Sequence, residues 1–177
     1  VWVMKIKYAI LSLAFILSVP GLLWAQVTVS DDVNVLQNLK KQNDCGGSLK
    51  NWQITSSSAK GEGIGADSAG HLESLVLDRV KLCGTLTISY LPELKVLVVS
   101  ETGAGDIMLD ALPALKDLHL GFIQPASFNF LRAMPNLERL QLDSTGLNDV
   151  KVLAGSPLLR EIDLSYNHIS DLYPLGA

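Results

Sequence analysis

The pattern Leu-x-x-Leu-x-Leu recurs along this chain at an almost fixed period, and no other feature restricts its fold so severely. It reads Leu72-x-x-Leu75-x-Leu77, Leu94-x-x-Leu97-x-Val99, Leu115-x-x-Leu118-x-Leu120, Leu137-x-x-Leu140-x-Leu142 and Leu159-x-x-Ile162-x-Leu164. The leading positions are 22, 21, 22 and 22 residues apart. A degenerate copy, Leu49-x-x-Trp52-x-Ile54, lies 23 residues before the first, which makes about six units. In a strand the fourth and sixth positions of the pattern face one side and the fifth faces the other. A single unit cannot cover its own leucines, whereas stacked units cover one another's.

The expected architecture is therefore α/β: a right-handed solenoid whose short strands pair in parallel, ~4.8 Å apart, into a sheet on the concave face. The second half of each unit packs behind that sheet, through anchors such as Leu147, Val150 and Leu153 in one unit and Ile169, Leu172 and Leu175 in the next. The final copy, "LREIDLSYNHISDLYPL", resembles the 22-residue leucine-rich repeat of bacterial internalins, LxxLxLxxNxIxDIxPL, and the likeness runs from about Leu49 to Ala177. It implies that Asn167 bonds backbone groups of a neighbouring turn. Earlier units carry Thr145, Ile123, Thr102 and Val80 at that place, so a continuous asparagine ladder is not expected.

Two segments precede the repeats. Residues 1–25 read as a secretory signal peptide, with Lys5 and Lys7 before the apolar run Tyr8 to Leu23 and with Ala25 at the cleavage point. Residues 26–48 read as an N-terminal cap. In it Asp31 and Asp32 open a helix containing Val33, Leu36 and Leu39, and Lys40 and Lys41 close it, which suits the helix dipole. The expected localisation is secreted or cell surface. Beyond the signal no apolar run is long enough to span a bilayer, so no membrane insertion is expected after its removal. Without Lys5 and Lys7 the chain holds 12 basic against 18 acidic residues, a net charge of −6. Such a surface repels nucleic acid. The apolar pattern continues to Leu175, and an array stopping there would leave its last leucines open. That predicts either further repeats downstream or pairing of two open ends.

Catalytic signatures are absent from the sequence. "GEGIGADSAG", residues 61–70, lacks the Lys-Ser/Thr pair of a phosphate loop and reads as a flexible connection between strands. His119, with Asp117, Asp143 and Asp163 nearby in register, fits a polar binding surface better than a metal or acid–base site, because neither HExxH nor GxSxG accompanies it. No enzyme activity, cofactor or metal is expected. Cys45 and Cys83 are an even pair in what would be an oxidising compartment, which permits a disulfide. The repeat register, however, sets them about two units apart, a spacing expected to exceed the ~7 Å limit between Cα atoms.

The residues between the buried leucines define the candidate partner-binding face. They are Val76, Val96 and Val98 in the early units, then Asp117 and His119, Arg139, Gln141 and Asp143, and Glu161 and Asp163. An exposed valine patch followed by an acidic, mixed-polar surface suits a protein ligand. A peptide or glycan ligand for the same face, and a spacer that presents a downstream enzymatic or anchoring domain, are the alternatives.

Overall fold

The computed structural model describes residues 27–154 and 156–175; the signal segment read from sequence lies outside them. Each Leu-x-x-Leu-x-Leu stretch forms a strand. In chain order the strands are β1 (Gln53–Ile54), β2 (Ala59–Lys60), β3 (Ile64–Ala66), β4 (Leu72–Asp78), β5 (Thr85–Ser89), β6 (Val96–Ser100), β7 (Asp106–Asp110), β8 (Asp117–Gly121), β9 (Arg139–Asp143) and β10 (Glu161–Asp163). Among the described residues one helix of 14 residues, α1 (Ser30–Asn43), precedes them.

Strands β4, β6, β8, β9 and β10 pair in parallel, in that order. Their register, Ser74↔Val96↔Asp117↔Arg139↔Glu161, repeats the spacing of the sequence pattern. The solenoid expected from the repeat is thus formed, with turns of about 22 residues. Behind the sheet Leu75, Leu77, Leu97, Val99, Leu118, Leu120, Leu140 and Leu142 join one continuous buried core. Helix α1 lays Val33, Leu36 and Leu39 onto the same core.

The return half of each turn changes character along the array. β5 and β7 pair in parallel with each other. Their sequences, TLTIS and DIMLD, alternate inward Leu or Ile with outward polar residues or Met108, as a half-buried strand requires. Later turns replace them with 3-10 segments at Asn129–Ala133, Val150–Leu153 and Tyr173–Leu175.

The degenerate first copy does not join the parallel sheet. Leu49 and Trp52 are buried as its register requires, but β1 pairs antiparallel with β2. The sheet holds five parallel strands, and its sixth comes from the glycine-rich stretch: β3 runs antiparallel along β4. "GEGIGADSAG" is therefore an ordered edge strand with its turns. Gly63 takes a positive φ of 78°, and a Cβ there would meet the Val76 carbonyl oxygen at 2.0 Å. Only glycine lets the segment approach the sheet so closely.

Asp32 belongs to the first turn of α1, as expected, but it does more than face the helix dipole. It is 2% exposed; its Oδ2 accepts the Leu72 amide at 2.7 Å and lies 3.5 Å from His71 Nδ1. A buried carboxylate needs such partners, and these fasten the helix to the start of β4. At the other end of the array Asn167 fills the role its resemblance implied. Its Oδ1 accepts the amides of Thr145, at 3.2 Å, and Leu147, at 2.9 Å. Its Nδ2 donates to the carbonyl oxygens of Leu142 and, at 3.0 Å, Leu164.

Candidate functional site

Because strand register is fixed by the buried leucines, the alternate side chains form a grid on the open face of the sheet. One row is Ser74, Val96, Asp117, Arg139 and Glu161; the next is Val76, Val98, His119, Gln141 and Asp163; the third is Asp78, Ser100, Gly121, Asp143 and Ser165. Every residue named from the sequence as a partner contact falls on this grid, all within one sheet face.

Side-chain chemistry then divides the grid. On β8 and β9 two cross-strand pairs form. The Arg139 guanidinium engages both carboxylate oxygens of Asp117, with Nη2 to Oδ2 at 2.6 Å. That carboxylate raises the arginine's already high pKa. His119 Nε2 lies 2.8 Å from Asp143 Oδ1. The imidazole occupies space that Gly121 leaves empty. A Cβ on Gly121 would sit 2.6 Å from Ser100 Oγ, 3.1 Å from His119 Nε2 and 3.2 Å from Asp143 Oδ1. Asp163 bonds the turn just after its own strand, accepting the Ser165 amide at 2.9 Å. Glu161 and Arg139 are exposed, and Gln141 is half-buried.

The valine end of the face is less open than the sequence suggested. Val76 and Val96 are half-buried, and Val98 is only 7% exposed. Val98 is flanked by Val76 on β4 and His119 on β8, so neighbouring side chains cover it. The exposed valine patch thus reduces to the edges of Val76 and Val96. No group of three or more His, Cys, Asp or Glu side chains is arranged for a metal among the described residues.

Two columns border the grid. One holds Glu73, Lys95, Lys116, Glu138 and Arg160, successive turns linked by backbone bonds of 2.8–2.9 Å. Lys95 meets Glu73 at 2.6 Å and Lys116 meets Glu138 at 3.1 Å. The Glu73 contact raises the Lys95 pKa and the Lys116 contact lowers that of Glu138. The other column was not anticipated from sequence. Arg79, Glu101, Phe122, Ser144 and Tyr166 all have φ between 50° and 57°. This left-handed backbone costs a non-glycine residue roughly 1–2 kcal/mol. It turns the chain at the end of each strand and leaves Phe122 58% and Tyr166 74% exposed beside the grid. The signal for it was present, since each of these residues lies two beyond the last position of its strand pattern. A shallow hollow of about 370 Å³ lies away from the grid, at the start of α1, among Val29, Asp32, His71, Tyr90, Pro92 and Pro113.

No protein-family model matches the chain, and no curated protein matches it in sequence. Among solved structures it is similar to the leucine-rich-repeat ectodomain of the receptor kinase SOBIR1 from Arabidopsis thaliana. The identity is 19%, the TM-score is 0.46, and the match covers 80% of this chain and 95% of that one. Among the described residues no helix is long and apolar enough to cross a membrane.

Proposed function

We propose that this chain is an exported, non-catalytic recognition module that binds a protein partner on the concave face of its leucine-repeat sheet. The observation that carries the reading is the surplus of carboxylates on a rigid grid. Asp78, Asp117, Asp143, Glu161 and Asp163 share the face with Arg139 as its one guanidinium. Asp117 is committed to Arg139 and Asp143 to His119. Glu161 stays exposed, and the bordering Phe122 and Tyr166 add apolar area. Acidic side chains with flanking aromatics suit a partner whose surface is basic with an apolar edge. The internalin-like last unit supports the same reading. Export would remove residues 1–25, which intact-mass measurement of the exported product checks.

The test is a binding screen of the chain against surface and secreted proteins, with Glu161→Ala, Gln141→Ala and Asp163→Ala variants alongside. The expected partner loses affinity for the variants and also weakens as salt rises, while the variants keep their unfolding midpoints. A partner indifferent to both salt and these substitutions would place recognition elsewhere on the molecule.

A further inference from the structure

The turn after α1 is pressed against the segment entering β5. The Asn43 carbonyl oxygen accepts the amide of Cys45 at 2.9 Å and that of Cys83 at 3.0 Å, so two cysteine backbones converge on a single atom. Asn43 Nδ2 donates to the carbonyl oxygens of Cys83, at 2.9 Å, and Thr85, at 3.0 Å. Ser48 Oγ accepts the Lys81 amide at 3.0 Å. Gly46 is needed for the fit, because a Cβ there would lie 2.6 Å from Lys81 Cβ. The Cys83 thiol reaches back to the Asn43 carbonyl at 3.7 Å. The separation expected from repeat counting is therefore wrong: the cap-side turn folds back onto the first return segment and brings the two cysteines together. Both are free thiols in this structure, Cys45 exposed and Cys83 half-buried.

We propose that Cys45 and Cys83 are a redox pair that closes to a disulfide, fastening the helical end of the molecule to its first return strand. This inference is independent of the binding reading. A low-molecular-weight disulfide such as oxidised glutathione is the oxidant. The Cys45 thiolate, being the exposed one, attacks a sulfur of the oxidant, breaks its S–S bond and releases one reduced thiol. The Cys83 thiolate then attacks the Cys45 sulfur of the mixed disulfide and expels the second reduced thiol. Two electrons and two protons pass from the protein to the oxidant, and one S–S bond forms. Before the first step the Cys45 thiol, hydrogen-bonded beside Cys83, raises the pKa of Cys83. Capping Cys45 removes that influence and favours the resolving thiolate.

The experiment is equilibration of the full chain in a glutathione redox couple, acid quenching and non-reducing tryptic mass mapping. The expected product joins peptides Gln42–Lys50 and Leu82–Lys95, and the protein loses two hydrogens of mass. Its thermal midpoint should fall by several degrees when a reductant is added. Cys83→Ser should instead retain glutathione on Cys45 and show a midpoint insensitive to reductant. The proposal is overturned if the cooperatively unfolding wild-type chain keeps both thiols alkylatable under oxidising conditions. It is equally overturned if each cysteine carries its own glutathione without a cross-link.

Discussion

The two edges of the six-stranded sheet are built differently. At the first, β3 covers β4 from outside, α1 lays Val33, Leu36 and Leu39 on the core, and the leucines of β4 have no exposure. At the other, β10 pairs over only three residues. Ile162 and Leu164 there are partly buried, and Leu172 is 45% exposed. The same sequence pattern thus yields a sealed core in one turn and a half-covered one in another. The reason is that a solenoid leucine is buried by the turns on both sides of it, and the pattern supplies only the leucine.

The sharpest way to break this comparison is truncation of inward residues. Leu118→Ala, between two covering turns, should cost about 2–5 kcal/mol. Ile162→Ala should cost clearly less, because part of its side chain is already in water. Chemical denaturation of both variants decides, and equal losses would mean that the last turn is as well packed as the middle.

Polar fastenings give the next test. Asp32→Ala strands the buried Leu72 amide at the first edge, and Asn167→Ala strands those of Thr145 and Leu147 at the last. Each should lower stability by about 1–3 kcal/mol. Hydrogen exchange would localise the two effects at opposite ends of the array. Exchange that rises everywhere in both variants would show a single cooperative unit in which the edges do not differ.

Between the edges, the open face should tolerate change. Arg139→Ala should move the unfolding free energy by no more than about 0.5 kcal/mol, since its pair with Asp117 is partly exposed. A loss comparable to that of Leu118→Ala would mean that the face is structural.

The smallest expected effect is a pH dependence at the charged column. The Lys116 ammonium holds the Glu138 carboxyl below its ordinary 4.5. A depressed carboxyl contributes stability that is complete above 4.5 and is lost as pH falls through the lower folded value. Glu138→Gln should therefore flatten the acid limb of a midpoint-against-pH curve slightly, with solvent screening keeping the change small. Superimposable acid limbs for the two proteins would show the contact to be without energetic consequence.

Alternation and period, both local properties of the chain, were legible in the residues themselves. The five Leu-x-x-Leu-x-Leu stretches set strand direction, register and inward side, because shifting a strand by one residue would turn every leucine to water. The grid followed from the same register, as did the helix at residues 30–43 and the inward place of Trp52. What the sequence could not determine depended on how distant segments approach. Val98 looked exposed by alternation, yet its cover comes from Val76 and His119 on other strands. The glycine-rich stretch gave no periodic signal, and it became an edge strand because β4 offered unpaired backbone groups and glycine allowed the contact. Repeat counting measured the distance from Cys45 to Cys83 along the array and set them apart. Asn43, 40 residues from Cys83 in sequence, brings them together by accepting both amides on one oxygen. Such a contact arises only when one turn folds back over another, and no local pattern encodes it.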